Sequence, residues 1–236
     1  MSKILIVGDV HGRTFWRKTL ELVDKVDKIV FLGDYLDPYP DENIAWEDAL
    51  NEFIRILQFK DSYNDKVILL TGNHDWNYIN KEFPDCSRKN YKLLNELNGL
   101  FTKNINKFQL IYELDNYLFS HAGIYKEWME LCNFNLDNLK DFNEIITNNW
   151  PSLSCVGFYR GGYYPVGSCI WADVRESLNH ELYSDKIQIV GHTQLKKDPY
   201  ITDKISCLDC RKCFILNTET NEIKEVLKTF NLEVKS

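Results

Sequence analysis

Carboxylate, imidazole and amide side chains recur at the ends of short apolar runs in this 236-residue chain. The run Ile4 to Val7 is followed by Asp9 and His11, and later runs end in GDYLD, GNHD, SHAG and VGHT. Strand ends of this kind meet at one edge of an open α/β sheet, where such sheets bind ligands. We therefore expect one polar site there, formed by a shared set of oxygen and nitrogen donors: Asp9, His11, Asp34, Asn73, His121 and His192.

The histidines of the chain are concentrated in these motifs. Four of the five stand at predicted strand ends, and His180, in a predicted helix, is interpreted as structural. Each motif alone has a structural explanation, because Gly-Asp is a common turn and a lone histidine is usually a hydrogen-bonded structural residue. Together they indicate more, because a core built for stability would not gather so many costly polar groups with nothing to coordinate.

The donor types predict which cation would bind. Mixed oxygen and imidazole donors suit transition metals better than Ca²⁺, which prefers oxygen alone. Mn²⁺ is the preferred candidate, with Fe, Zn²⁺, Co²⁺ or Ni²⁺ as alternatives. The set is too large for a single four-coordinate ion, so we expect two divalent metal ions bridged by a carboxylate.

The elements that must position these residues alternate between strand and helix in the first third of the chain. Strands are predicted at 3–8, in KIVFLGD and in KVILLTGNHD. Helices are predicted at about 14–25, with Leu20 on the apolar face, and in DENIAWEDALNEFIRILQF, entered through Pro40 and Asp41. This order implies parallel pairing with right-handed crossovers.

The second half has a different pattern. FQLIYEL and NYLFSHAG are closely spaced strand candidates with a turn at Asp115 and Asn116, and helices are predicted near 124–131 and 137–149. Strands KIQIVGH, KISCLD and CFILNTE follow. Parallel pairing together with hairpins predicts a four-layer α/β/β/α sandwich of two mixed sheets flanked by helices. No linker or repeat is visible, so 1–236 is expected to be a single domain.

The composition of the chain restricts the kinds of binding partner and the cellular compartment that we expect. The net charge of −7 disfavours a surface that neutralises nucleic-acid phosphates. No apolar run has the length of a membrane span or of a secretory signal, so a cytoplasmic location is expected. Reduced thiols are then expected for the seven cysteines. CLDCRKC (Cys207, Cys210 and Cys213) could bind a structural zinc with Cys155 or Cys169, but no second knuckle is visible and buried apolar thiols are the preferred interpretation.

The motifs GDVHG, GDYLD, GNHD, HAG and GHT, in that order, resemble those of calcineurin-like metallophosphoesterases. The most similar branch looks like the serine/threonine protein phosphatases and the related bacterial and phage diadenosine tetraphosphatases. The motifs run from residue 8 to residue 193, which is most of the chain. The resemblance implies the metallophosphoesterase fold and a hydrolase of phosphate monoesters in which a metal-bridging hydroxide attacks phosphorus.

The resemblance also implies a role for each matching residue. His74 would be the general acid that protonates the leaving oxygen, and Asp37 would orient it. An adjacent carboxylate favours the protonated imidazole that an acid requires. The first metal would be held by Asp9, His11 and His192 with Asp34 bridging, and the second by Asn73, His121 and again Asp34.

The chain departs from the family pattern where a phosphate-binding arginine is expected. Pro38 stands at the position of the arginine in the second motif, and Thr71 precedes the third. This departure puts protein phosphatase activity in doubt. Bidentate arginines suit phosphate, and the replacement candidates, with Asn73 as a further phosphate contact, are Arg13, Arg160 and Arg175.

The substrate therefore stays open between a phosphorylated small molecule, a nucleotide and a phosphoprotein. The loop FYRGGYYPVGS has tyrosines that could stack on a nucleobase, or that could pack on their own domain. Dinucleoside polyphosphate hydrolysis is the first alternative to a phosphomonoesterase. A non-catalytic scaffold with this fold is the second, and the retained acid histidine disfavours it.

Overall fold

Two mixed sheets with helices on their outer faces form the fold in the computed structural model, which describes residues 2–81, 86–134, 142–144 and 150–226. The strands are β1 (Lys3–Val7), β2 (Lys28–Phe31), β3 (Val67–Leu70), β4 (Phe108–Gln109), β5 (Ile111–Leu114), β6 (Tyr117–Ser120), β7 (Ile187–Val190), β8 (Tyr200–Ile201), β9 (Ile205–Cys207), β10 (Cys213–Asn217) and β11 (Glu222–Glu225). The α-helices are α1 (Thr19–Leu22), α2 (Trp46–Tyr63), α3 (Asn73–Ile79), α4 (Leu94–Lys103) and α5 (Lys126–Leu131). The predicted fold class is confirmed.

The first sheet has the strand order β11-β10-β1-β2-β3-β4 and the second the order β5-β6-β7-β9-β8. β1, β2, β3 and β4 pair in parallel, as the alternating pattern predicts, and β10 closes on β1 in antiparallel register. β6, β7 and β9 are parallel in the second sheet. Both sheets therefore present several strand ends at one edge.

The core has a layer on each side of the first sheet. In β1, Leu5 and Val7 belong to the apolar cluster that includes α2, whereas Ile4 and Ile6 belong to the cluster shared with the second sheet, for example with Phe119. Successive strand residues point to opposite faces, so an uninterrupted apolar run fills both layers. β1 is thus a central strand, buried on both faces.

Two helix predictions differ from the structure in detail. The predicted helix at 14–25 is a short α-helix, α1, flanked by 3₁₀ turns, and Leu20 is 50% exposed instead of lying on the buried face. The second predicted helix begins at Trp46, not at Asp41. Pro40–Glu42 forms a separate 3₁₀ turn, and Asn43 has φ +52°, a left-handed conformation that interrupts a helix.

The predicted strand FQLIYEL is divided between the two sheets. β4 pairs with β3 in the first sheet and β5 pairs with β6 in the second, with the hairpin turn at Asp115 as predicted. The short edge strands β8 and β11 were not predicted. The helix predicted near 124–131 is present as α5, and the one at 137–149 falls largely outside the described residues. No helix in the described ranges is both long and apolar enough to cross a membrane.

Candidate active site

The predicted polar residues meet at the common edge of the two sheets. Asp9 follows β1, Asp34 follows β2 and Asn73 begins α3 directly after β3, while His121 and His192 follow β6 and β7 of the second sheet. All five are buried, with exposed fractions of 0–9%. Most of the donors predicted from separate motifs therefore lie in one place, between the sheets.

The backbone at the site is held in a conformation that L-residues seldom adopt. Positive φ angles occur at His11 (+44°), Asp34 (+52°), Asp37 (+61°) and His192 (+60°). A non-glycine residue in this region costs on the order of 1 kcal/mol or more, and such residues cluster at functional sites. Strand ends that turn in this way aim their side chains into the space between the sheets.

Two glycines let the backbone approach the carboxylates closely. A Cβ atom on Gly72 would overlap the carboxylate of Asp34, and one on Gly191 would overlap that of Asp9. Both residues belong to the quoted motifs GNHD and VGHT. Glycine is needed at these positions because any side chain would displace a candidate ligand.

Asp34 lies at the centre of the donors. Its Oδ2 atom is 3.5 Å from Nε2 of His11 and also 3.5 Å from Nε2 of His121. Two groups of donors with mutual distances within 4.8 Å share this carboxylate. One contains His11 and His74, the other His121 and His192. A carboxylate placed between two imidazole groups has the position that a bridging ligand requires.

The position of His192 differs from the expected division of ligands. The family resemblance assigns it to the first metal with Asp9 and His11, whereas its ring Nδ1 lies 3.2 Å from Nε2 of His121. Its backbone N–H does contact Asp9, at 3.0 Å from Oδ2. The imidazole therefore groups with His121 and Asp34, and only the main chain supports Asp9, because the turn after β7 directs the ring toward the second sheet's ligands.

The protonation states of the imidazoles fit metal ligation. Burial lowers the pKa of His11, His121 and His192 below the ordinary histidine value, so all three are neutral at pH 7. Nδ1 of His11 contacts the carbonyl of Leu36 at 2.8 Å, and Nδ1 of His121 contacts that of Leu32 at 2.7 Å. Bonds of this type place the proton on Nδ1 and leave the lone pair of Nε2 for a cation.

Close contacts between ligand atoms at the site also fit a cation. Nδ1 of His192 and Nε2 of His121 lie 3.2 Å apart, so that a cation could bind the lone pairs of both. Burial and the neighbouring carboxylates of Asp209 and Asp34 raise the pKa of Asp9 well above the ordinary value. Buried carboxyl groups in contact repel each other when ionised, and divalent cations would remove that repulsion. The donor set therefore suits divalent metal ions.

His74 is held by a chain of buried hydrogen bonds. Its ring Nδ1 lies 2.5 Å from Oδ2 of Asp37, and the hydroxyl of Tyr78 donates to Oδ1 of the same carboxylate. Burial raises the pKa of Asp37, and the hydrogen bonds with His74 and Tyr78 oppose that rise. The predicted pairing of His74 with Asp37 is present, and it leaves Nε2 of His74 facing the cavity.

A cavity of about 310 Å³ opens above these groups, and the three predicted arginines differ in their relation to it. Arg160 lines the cavity, and its Nη2 donates to the carbonyl of His192 at 2.9 Å. Arg13 does not line it, because its Nε donates to Glu42 at 2.7 Å and its Nη1 to the backbone of Asp9. Arg175 lines a neighbouring cavity with Arg160.

Arg88 lines the metal cavity and was missed by the sequence analysis. Its Nη2 lies 3.4 Å from Nε2 of His74, and its Nε donates to the carbonyl of Asp37 at 3.0 Å. The guanidinium carbon stacks 3.8 Å from the ring centre of Tyr39. Arg88 belongs to the irregular segment after α3, where no strand or motif signal marks a residue as part of the site.

Asp75 is a second residue that the sequence analysis did not assign. The fourth residue of GNHD is fully buried, and its carboxylate accepts the backbone N–H groups of Gly72, Asp34 and Tyr35 at 2.7–2.9 Å. These bonds join the turn after β3 to the turn after β2. Asp75 therefore positions Asp34 without pointing into the cavity.

The cysteines of CLDCRKC have separate surroundings. Sγ of Cys207 contacts the carbonyls of Gly191 and Thr193, whereas Sγ of Cys213 contacts the carbonyl of Phe15. Within the described ranges, no cysteine takes part in a group of three or more potential metal ligands. This geometry favours buried apolar thiols over a structural zinc.

Comparison with known proteins identifies the family. The family model for calcineurin-like phosphoesterases matches residues 2–201, which is most of the chain. The chain therefore belongs to the calcineurin-like phosphoesterase family, as the order of its motifs predicts.

Relatives in sequence include two kinds of enzyme. The chain is 26% identical over 164 residues to a symmetrical bis(5'-nucleosyl)-tetraphosphatase of Buchnera aphidicola, covering 58% of this chain and 54% of that protein. It is 25% identical over 190 residues to serine/threonine-protein phosphatase 2B catalytic subunit A2 of Saccharomyces cerevisiae, covering 78% and 27%. The chain thus spans about half or less of the length of these curated relatives.

Solved structures share the fold at low sequence identity. A cold-active protein-tyrosine phosphatase of a psychrophilic Shewanella species has a TM-score of 0.63 at 16% identity, covering 96% of this chain and 80% of that one. A serine/threonine phosphatase from Saccharomyces cerevisiae has a TM-score of 0.54 at 17% identity, covering 94% and 79%. At this identity the similarity establishes the fold alone.

Proposed function

We propose that this protein is a dinuclear-metal phosphoesterase that hydrolyses phosphate monoesters, with residues 1–236 acting as a single domain. The observation that carries the proposal is the position of Asp34, whose Oδ2 is 3.5 Å from an imidazole of each donor group. A cavity of about 310 Å³ opens on that carboxylate and on His74. A carboxylate with an imidazole ligand candidate on each side, together with an acid candidate, provides the parts that two-metal hydrolysis of a phosphate ester requires.

The donors divide into two candidate sites that share Asp34. Two divalent cations bound there would acidify a water molecule and neutralise the charge of a bound phosphate. Mn²⁺ remains the preferred cation because of the donor types. The cytoplasm remains the expected compartment. Asp9 and His11 belong to the first candidate site, and Asn73, His121 and His192 to the second.

His74 is the proposed general acid. Its Nδ1 is engaged by Asp37, and this contact holds the imidazole in place at the cavity. Its Nε2 faces the cavity, from which it would give a proton to the leaving oxygen as the ester bond breaks. The alcohol product then departs neutral, and His74 recovers a proton from water.

Arg88 and Arg160, which both line the cavity, are the proposed phosphate-binding residues. Nη2 of Arg88 lies 3.4 Å from Nε2 of His74, and a guanidinium only donates hydrogen bonds. When Nε2 of His74 carries a proton, both groups are donors directed at the same part of the cavity. A phosphate oxygen accepts from both kinds of donor. Asn73 remains a further candidate contact, whereas Arg13 is engaged by Glu42.

A dinucleoside polyphosphate hydrolase is the second candidate function. The similarity to a symmetrical bis(5'-nucleosyl)-tetraphosphatase supports it, as does the absence of an arginine at Pro38. A panel of substrates separates the two functions. A strong preference for diadenosine tetraphosphate over a phosphoserine peptide and p-nitrophenyl phosphate would replace the first proposal by the second.

The proposal is tested with His74→Asn. The variant should keep the metal content of the wild type. With added Mn²⁺, its kcat for phenyl phosphate, whose leaving oxygen needs a proton, should fall by roughly 10²–10⁴, the usual contribution of a general acid. Elemental analysis and steady-state kinetics on the same preparations provide the two readouts. His180→Asn is the matched control, since His180 pairs with Glu127 and does not line the cavity. Full activity of His74→Asn would refute the assigned role, and inactivity of the wild type with every cation and phosphate ester would refute the function.

A further inference from the structure

A second cavity lies beside the candidate metal cavity. Its volume is about 450 Å³, compared with about 310 Å³ for the metal cavity. Arg160 lines both cavities. His192 lines the metal cavity, and the next residue, Thr193, lines the second cavity. The two cavities are therefore neighbours at the Arg160 side chain, and a group attached to a phosphate in the first has an adjoining space in the second.

The polar wall of the second cavity carries an excess of positive charge. Nε and Nη2 of Arg175 donate to the two carboxylate oxygens of Asp173 at 2.7 and 2.9 Å. Nε of Arg160 lies 3.0 Å from Oδ2 of the same carboxylate. Among the described residues that line the cavity, Asp173 is the only one with an acidic side chain. One carboxylate thus faces two guanidinium groups, and one positive charge is left over in a chain of net charge −7.

The remaining walls are apolar and partly exposed. Leu178 lines the cavity and is 68% exposed, and Leu195 and Tyr200 form another part of the wall. The guanidinium carbon of Arg175 lies 4.9 Å from the ring centre of Tyr159, which is 41% exposed. Apolar side chains beside a guanidinium offer a surface for a flat aromatic group that also carries a negative charge.

We propose that the second cavity binds the group carried by the scissile phosphate, and that this group is aromatic and bears a second anionic substituent. The inference rests on the proposed function, because it takes the metal cavity to hold the phosphate. Arg175 pairs with the second anion, and Arg160, which lines both cavities, lies between that anion and the phosphate. Leu178, Leu195 and Tyr200 contact the aromatic ring. Arg175 is thereby assigned to the substrate's second anion and not to the phosphate that is cleaved.

Binding of phosphonates tests this subsite without any turnover. Benzylphosphonate and its meta- and para-carboxylated derivatives have no ester bond to break, and their Kd values for the Mn²⁺-loaded protein are measured by titration calorimetry. At least one carboxylated derivative should bind about tenfold more tightly than benzylphosphonate, the effect of one charge-assisted contact. Hydrolysis plays no part, so inactivity of the enzyme would refute the proposed function and leave this measurement intact.

Two variants remove the preference in different ways. Arg175→Gln removes the exposed guanidinium, and Leu178→Glu places a negative charge on the apolar wall at an exposed position that folding does not need. Either change should reduce the tenfold preference to less than about threefold. The matched controls are Arg55→Gln and Leu20→Glu, exposed positions on α2 and α1 that do not line the cavity, and both should keep the preference.

Equal affinities of the three phosphonates for the wild type, or no binding of any, would overturn the proposal. A preference that survives in both Arg175→Gln and Leu178→Glu would do the same, because the second anion would then bind elsewhere. Calorimetric competition of adenosine diphosphate and of a carboxylated aryl phosphate with the tightest-binding phosphonate then shows whether the aromatic group is a nucleobase or a simple aryl ring.

Discussion

Arg88 supplies a guanidinium at the site in a chain that has lost the arginine of the second motif. Pro38 occupies that motif position, and Arg88 lies 50 residues further along the chain. It reaches the cavity because Asp37 and Tyr39, which flank Pro38, hold it through a hydrogen bond of 3.0 Å and ring stacking at 3.8 Å. The residues on either side of Pro38 therefore hold the guanidinium that we propose as a phosphate ligand.

The role of Arg88 predicts a specific kinetic change. Arg88→Gln should raise KM for p-nitrophenyl phosphate and the inhibition constant of inorganic phosphate by about 10- to 100-fold, since a hydrogen bond to a charged group contributes roughly 1.5–3 kcal/mol. Arg88→Lys keeps the positive charge but not the planar guanidinium. Its KM and its inhibition constant for phosphate should therefore lie between those of the wild type and Arg88→Gln. Arg55→Gln is the control on an exposed surface. Unchanged phosphate inhibition in Arg88→Gln would exclude Arg88 as a phosphate ligand.

The loop that carries Arg160 rests on a buried carboxyl group. Glu176, in the 3₁₀ turn Val174–Leu178, is fully buried, and its Oε2 accepts the backbone N–H of Gly167 at 3.0 Å. Its Oε1 has no hydrogen-bond partner among the described residues, and a Cβ on Gly157 would overlap it. Burial raises the pKa of Glu176 to about 7. The protonated form is thus the one that the folded loop prefers.

Glu176 therefore predicts a pH dependence of stability. Because the pKa of Glu176 is about 7 in the folded state and 4.5 in the unfolded chain, the unfolded chain loses this proton first as pH rises. The contribution of Glu176 is most favourable below pH 4.5 and is lost between about pH 4.5 and 7. The whole loss is on the order of 3 kcal/mol.

Glu176→Gln tests this dependence because an amide cannot ionise. The free energy of unfolding of the variant relative to the wild type should rise between pH 5 and 8, by an amount approaching ~3 kcal/mol. Urea denaturation at a series of pH values measures it. Glu47→Gln, an exposed residue in the first turn of α2, is the control and should show no such trend. A constant difference between Glu176→Gln and the wild type would contradict the raised pKa.

The two sheets meet at the site, and each contributes candidate metal ligands. Asp9, Asp34 and Asn73 come from the first sheet, and His121 and His192 from the second. Nε2 of His121 lies 3.2 Å from Oδ1 of Asn73, across the boundary between the sheets. Cations bound to these residues would cross-link the sheets and stabilise the folded state, which binds them, over the unfolded chain.

Metal binding should therefore raise Tm. At a Mn²⁺ concentration a hundredfold above Kd, one site contributes about 2.7 kcal/mol, or an increase of about 5–10 °C for a chain of this size. Asp34→Asn should bind less metal by elemental analysis and lose most of the increase. Asp24→Asn, at an exposed position in a 3₁₀ turn, should retain both. Two fully occupied sites in Asp34→Asn would refute the bridging role of this carboxylate.

The site was predictable where its residues follow strands. Apolar runs of four residues mark β1, β2 and β3, and shorter apolar stretches mark β6 and β7. The polar residues just after these strands lie at the sheet edge, because parallel strands end together. The fold class followed from the same alternation of strands and helices. Local pattern and parallel pairing therefore predicted that the six candidate ligands share one edge, whereas the roles of His74 and Asp37 came from the family resemblance.

Tertiary structure alone decided the rest. The ring of His192 lies with His121 because of the turn after β7, and FQLIYEL divides between two sheets because its ends pair with different strands. Arg88 reaches His74 from an irregular segment, while Arg13 is engaged by Glu42. Sequence patterns report the direction of a side chain only within a regular strand or helix. Positions in loops depend on contacts between residues far apart in the chain, which no local spacing encodes.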